Sequence, residues 1–278
     1  MARWRKLGII AGAGVLPRLL AEAAADAFVV RLAGVADDAF EAHSSVECGM
    51  AEAGRILRVL KESGCDAVTL AGVVRRPDFS KLMPDWRGAV LMPKVIAAAA
   101  KGDGALLDVL IETLETEGFV VVGAEEVLSS LSAPAGPLGS FSPGPRHWAD
   151  IRKAAAVIAA LGPFDVGQAA VVASGFTLAI EAAEGTDGVL ARCASLPPSA
   201  RGGEGRNGVL VKRPKPGQER RVDLPTVGVR TLAGVHAAGL AGVAVEAGAA
   251  LVIDIDAVRR EADRLGLFFY GFTPAELQ

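Results

Sequence analysis

Residues 7–25 read LGIIAGAGVLPRLLAEAAA, and this stretch decides the fold. LGIIA is an apolar run of strand length, GAG supplies a tight turn, and Pro17 opens a run with helical spacing. With the basic start MARWRK in front of it, the same stretch copies the outline of a secretory signal. Strand, turn and helix explain it better, because each piece has its own local physical cause. The pattern then repeats. FVVRLAGV, DAVTLAGVV and FVVVG are short runs rich in valine, while AEAGRILRVLKES and GALLDVLIETLETE carry helical spacing between them. Such alternation implies a mainly parallel sheet with helices on both faces. The expected fold class is α/β, with a Rossmann-like first domain over residues 1–131.

Segment 132–145, SAPAGPLGSFSPGP, is dense in Pro, Gly and Ser and has no periodicity, so it reads as a linker. A mixed α/β second domain is expected over residues 146–278. It begins with the helical run RHWADIRKAAAVIAAL, and QAAVVASGFTLAIEAA follows as two strands joined by a tight hairpin at Ser174-Gly175. RGGEGRNG reads as a glycine-rich loop, GVLVK as a strand and KPGQERRVDLP as a polar turn. GVAVEA and ALVID read as strands, AVRREADRLG as a helix and LFFYGF as a terminal strand. Residues 232–253 are long enough to span a bilayer, but glycines, His236 and Glu246 interrupt them. A helix, a turn and a strand fit them better.

Bulk properties bound the function. A chain of 278 residues exceeds the usual size of one core. It is 51% hydrophobic and 22% charged with a net charge of -3, which lacks the basic balance of a nucleic-acid binder. Cys48, Cys65 and Cys193 form no CxxC pair and leave an odd number, so neither a zinc knuckle nor a disulfide framework is indicated, and a reducing cytoplasm fits. His43, His147 and His236 form no HxH or HxxxH set, and no GxSxG motif or Walker loop is present.

Several positions could carry chemistry. Gly12 and Gly14 lie between a strand and a helix, where backbone amides can meet an anion, although a plain tight turn explains them equally. A dinucleotide fingerprint would need glycine where Pro17 stands, which argues against a nicotinamide site. Arg75 and Arg76 follow a strand, on the side of an open sheet where ligands bind. Asp103 in KGDGALL is as good a helix cap as a ligand. IEAAEGTD places Glu181, Glu184 and Asp187 close together at the end of a strand. Their mutual repulsion would be relieved by a cation or by lysines, and the alternative is a solvated cluster with a helix cap. About 25 residues on, LVKRPKPGQERRVDLPTVG holds Lys212, Lys215, Gln218, Arg220, Arg221 and Asp223. Carboxylates for a hard cation beside cations for phosphate oxygens are the ingredients of phosphoryl transfer. An exposed charged turn is the bland alternative.

Taken in order, IIAGAGVLP, AGVVRRPDF, KGDGALL, AIEAAEGTDGVLAR, VLVKRPKPGQERRVDLPTVG and AGVAVEAGAALVID closely resemble the UDP-2,3-diacylglucosamine pyrophosphatases of Gram-negative bacteria, the family distinct from the metallophosphoesterase type. The resemblance covers nearly the whole chain. It implies hydrolysis of UDP-2,3-diacylglucosamine to UMP and 2,3-diacylglucosamine 1-phosphate (lipid X) in lipid A synthesis, by water attack on the sugar-side phosphorus, with Mg²⁺ or Mn²⁺. It implies a homodimer on the cytoplasmic face of the inner membrane, with lipid held between two domains and segment 132–145 as a hinge. Asp223 matches the family's essential aspartate. Its expected role is to bind the metal or orient the attacking water, with Asp187 and Glu184 as further metal ligands. Lys212 and Lys215 are expected on the pyrophosphate, and Gln168, Thr186, Asp187 and Glu246 near the sugar or uridine, with Gly12, Gly14 and Arg75 as additional substrate contacts. Two departures stand out. Gly104 occupies a position where a second acidic residue is common, and Glu219 one where aspartate is usual. A binding protein that holds the same ligand between its domains without hydrolysing it is the runner-up. The small residues at 97–100 and 237–250 suit either a chamber for acyl chains or close helix packing.

Overall fold

The computed structural model describes residues 3–37, 40, 42–201, 203 and 205–278. Met1 and Ala2 of the basic start, and Gly202 and Glu204 of the glycine-rich loop, lie outside the described residues. The chain divides into two compact units, Met1–Ser129 and Ser130–Gln278.

The first unit runs β1 (Leu7–Ala11), α1 (Leu16–Ala23), β2 (Phe28–Leu32), β3 (Ser45–Cys48), α2 (Ala53–Glu62), β4 (Ala67–Ala71), α3 (Trp86–Ala99), α4 (Asp103–Thr116), β5 (Val120–Val121) and α5 (Ala124–Val127). Its strands order as β3-β2-β1-β4-β5 with every pairing parallel, the order of a Rossmann-type sheet. Central β1 and β4 bury nearly every residue, as strands covered on both faces must. Past their carboxyl ends the two turns touch. Gly12 donates its amide to the Ala71 carbonyl, and a side chain at Gly72 would meet the Ala13 carbonyl at 2.7 Å, so only glycine permits this approach.

The second unit runs β6 (Gly136–Pro137), α6 (Pro145–Leu161), β7 (Ala169–Ala173), β8 (Phe176–Ile180), α7 (Gly185–Ala194), β9 (Val209–Lys212), β10 (Thr226–Val227), α8 (Val229–Ala237), β11 (Gly242–Glu246), β12 (Leu251–Val252), α9 (Ile255–Leu265) and β13 (Phe268–Phe272). Its main sheet, β6-β13-β11-β9-β7-β8, is parallel in the middle and antiparallel at both sides, with β10 and β12 forming a separate parallel pair. Period-2 alternation assigns each face of the main sheet its own core. Ala170, Val172, Val209, Val211 and Ala244 pack under α6 with Ile151, Ala154 and Ile158. Ala169, Val171, Leu210, Val243 and Val245 pack with Val189, Leu232 and Val258 of α7, α8 and α9. Each fully buried aliphatic side chain contributes about 1.5–3 kcal/mol.

Segment 132–145 is not a linker. Ala133 exchanges backbone bonds with Ala250 and Gly248, Leu138 donates to Phe269, and β6 pairs with β13, so the stretch is strapped onto the second unit. Pro137 is tolerated because β6 is an edge strand that can spare an N–H. Residues 232–253 resolve into the end of α8, β11 and β12, as the interrupted pattern required. No helix of the described residues is long and apolar enough to cross a membrane. Ala238, Ala244, Ala249 and Ala250 are buried, which favours the close-packing reading of that small-residue stretch.

Candidate active site

Strand register assembles the site. Lys212 at the end of β9 lies opposite Ala169 of β7 and Val245 of β11. Gln168 precedes β7, Glu181 follows β8 and Glu246 ends β11, so all four side chains gather at one edge of the main sheet. β7 reaches this edge with its start, because it runs antiparallel to β9. α7 begins at Gly185 beside the same edge, which adds the positive end of a helix dipole.

Lys212 is buried with only 5% of its surface exposed. Its ammonium donates to Thr186 Oγ1 at 2.9 Å and to the Thr226 carbonyl at 3.0 Å. Thr186 in turn donates to Glu181 Oε1 at 2.6 Å, and Glu181 Oε2 accepts the Gln168 amide at 3.0 Å. Burial pushes the Lys212 pKa below its ordinary value, while the charges of Glu181, Asp187 and Asp223 pull it back up. Lys212 is thus a desolvated lysine bonded to Thr186 and Thr226, with the charges of three carboxylates acting on it.

A second strand of the network positions Asp223. Gln218 Nε2 donates to Asp223 Oδ2 at 2.6 Å, to the Asp223 carbonyl and to Gln168 Oε1 at 3.0 Å, while Gln218 Oε1 accepts the Lys215 amide at 2.7 Å. Lys215 itself pairs with Asp165. Gln218 ties together Lys215 and Asp223, which the motif KPGQ to DLP spaces apart, and joins both to Gln168. Glu246 Oε2 lies 2.8 Å from an Arg213 guanidinium nitrogen without an aligned hydrogen bond. Arg221 holds Glu219, whose carboxyl sits below its usual range because of that hydrogen bond.

The structure therefore brings Gln168, Thr186, Lys212, Lys215 and Asp223 into one connected network. Other expected residues have different partners. Glu184 pairs with Arg192 at 3.0 Å and Asp187 with Arg230 at 2.8 Å. In the first unit, the Gly14 amide donates to the Asp37 carboxylate at 2.9 Å, so the anion at that turn is the protein's own. Gly12 serves the close backbone approach described above, and Arg75 lies exposed beyond β4. Among the described residues no three His, Cys, Asp or Glu side chains converge on a metal-sized site. These donors do not make a metal cage of protein groups alone.

Glu181 and Gln218 stand out in the acidic cluster and the polar turn, but neither has a specific role in the site from sequence alone. Glu181 had a readable signal. It falls in period-2 phase with buried Ala179 of β8, and an inward-facing carboxylate at a strand end requires a buried partner.

A Rossmann-like unit followed by a mixed α/β unit, with a lysine and carboxylate network at the second sheet's edge, defines a two-unit α/β protein built around a polar strand-end site. Two family models describe that arrangement. The LpxI N-terminal domain matches residues 6–131 and the LpxI C-terminal domain matches residues 134–270. The chain is 51% identical over 277 residues to the UDP-2,3-diacylglucosamine pyrophosphatase LpxI of Caulobacter vibrioides, covering 98% of this chain and 99% of that one. This chain belongs to the LpxI family.

Proposed function

We propose that this chain hydrolyses the pyrophosphate bond of UDP-2,3-diacylglucosamine, releasing UMP and 2,3-diacylglucosamine 1-phosphate by water attack on the sugar-side phosphorus. Identity of 51% across 98% of the chain to an enzyme so named supports the substrate. The observation that carries the chemistry is the burial of Lys212 beside Thr186 and Glu181, next to an Asp223 clamped by Gln218. A desolvated ammonium at a helix N-terminus is built to neutralise oxygens that gain charge in the transition state. Asp223 accepts a hydrogen bond from Gln218 at one oxygen, which fixes the carboxylate for orienting water or taking its proton. Lys215 offers a second cation, and Gln168 a polar contact for the sugar or uridine.

In the same reading Asp223, Asp187 and Glu184 would hold Mg²⁺ or Mn²⁺, which would supply neutralisation of phosphate charge. Glu184 and Asp187 each have an arginine partner, Arg192 and Arg230, which would give way to the metal. Chelation should abolish turnover, and added Mg²⁺ should restore it. The protein works as a homodimer touching the cytoplasmic face of the inner membrane, where its substrate resides. Asp223→Ala should cut turnover by about 10²–10⁴-fold while the variant folds and still binds substrate. Turnover near the wild-type rate in that variant would remove Asp223 from the chemistry.

A further inference from the structure

Helix α3 presents an unusual surface. Its buried side carries Gly88, Ala98 and Ala99, and it packs against α2 and α4. The opposite side is apolar and open to solvent: Trp86 is 82% exposed, Met83 just before the helix is 86% exposed, and Val90 and Ile96 are also exposed. At 100° per residue, Trp86, Val90, Pro93 and Ala97 fall within an arc of about 60°. Arg87 and Lys94 line one edge of that arc.

Charge separates the candidate occupants. Residues 75–101 hold six basic side chains (Arg75, Arg76, Lys81, Arg87, Lys94, Lys101) against two acidic ones (Asp78, Asp85), a net of +4 in a chain whose total is -3. Lys94 pairs with exposed Glu112 and Arg87 with Glu117, while the side chains of Arg75 and Lys101 make no ion pair among the described residues. Even with Glu112 and Glu117 paired against it, a second copy meeting this face about a two-fold axis would set a basic surface against a basic surface. An anionic bilayer complements it. Tryptophan settles at the headgroup level, apolar neighbours enter the acyl boundary, and lysine and arginine reach lipid phosphates. A helix of 14 residues is too short to span the membrane. Pro93 inside it leaves a backbone carbonyl to be met by water, which suits a helix lying in the interface.

We infer that the Met83–Ala97 face of α3 docks this chain onto the surface of an anionic phospholipid bilayer. The inference rests on and deepens the membrane contact proposed above, and its test separates from the hydrolytic reading because lipid binding is measured without substrate. The full chain would be sedimented with vesicles of equimolar phosphatidylglycerol and phosphatidylethanolamine, and with pure phosphatidylcholine. Binding to the anionic vesicles should be at least about tenfold tighter and should weaken as salt rises. Met83→Ser, Trp86→Ser and Val90→Ser combined should lose about tenfold or more with an unchanged thermal melt, because all three side chains are exposed. With Trp4→Phe and Trp148→Phe in the background, Trp86 is the remaining indole, and its emission should shift to the blue on anionic vesicles. The inference is overturned if the combined variant binds like the parent, if both lipids bind alike, or if Trp86 emission stays unmoved. A parent that ignores vesicles while the variant loses self-association would assign the face to a second copy instead.

Discussion

The residue at the centre of the strand-end network is Lys212, a buried lysine whose protonated form is favoured by the charges of Glu181, Asp187 and Asp223 and disfavoured by burial. Burial holds its pKa below the ordinary 10.5, with Glu181, Asp187 and Asp223 opposing that shift. As pH rises through the lowered value, folded Lys212 loses its proton while an unfolded lysine keeps one. Stability therefore rises with pH across that window, and activity falls. We expect kcat/KM to show an alkaline limb below the usual lysine range, and Lys212→Arg, which stays charged, to lack it. A limb unchanged in Lys212→Arg would assign the titration to another group. At this scale the sequence was partly legible. Carboxylates and cations at strand ends stand out by type, but their pairings do not. Arg192 and Arg230, which meet Glu184 and Asp187, sit where nothing in the local pattern marks them as partners. Gln218 is uncharged, and only the fold brings it onto Gln168, 50 positions away.

At the scale of elements, the β7–β8 hairpin shows why some of the fold could be read in advance. Ser174 and Gly175 both have positive φ, 50° and 80°, the backbone that a two-residue turn between twisted strands demands. Buried Asp150 on α6 then accepts both turn amides, at 3.0 and 2.8 Å. Asp150→Ala should cost about 1–3 kcal/mol of stability, measured by urea unfolding. A loss below about 0.5 kcal/mol, the usual size of a surface change, would show that the turn holds itself. Asp150 gives no local sign of this task, because the bond spans 24 residues. Strands β3 and β6, among others, also escaped notice for physical reasons. Strand β3 is SVEC, a largely exposed edge without an apolar run, and β6 is a Gly-Pro pair whose pairing depends wholly on β13. Gly271 on β13 permits that approach, since a side chain there would fall 1.8 Å from the Pro134 carbonyl.

For the whole molecule, alternation of strand and helix settled the class of fold. The parallel order β3-β2-β1-β4-β5 follows from short connections and helices on both faces. Composition misled at one place, where Pro and Gly density suggested a linker although Gly136–Pro137 within it forms an edge strand of the second sheet. Function lay in the order of motifs along the chain, and membership of the LpxI family rests on both halves together. The proposed reaction makes a demand that no binding protein meets. With UDP-2,3-diacylglucosamine and Mg²⁺ in H₂¹⁸O, mass spectrometry should find unlabelled UMP and one ¹⁸O in the phosphate of 2,3-diacylglucosamine 1-phosphate. Absence of UMP, or ¹⁸O in UMP, would contradict attack of water on the sugar-side phosphorus.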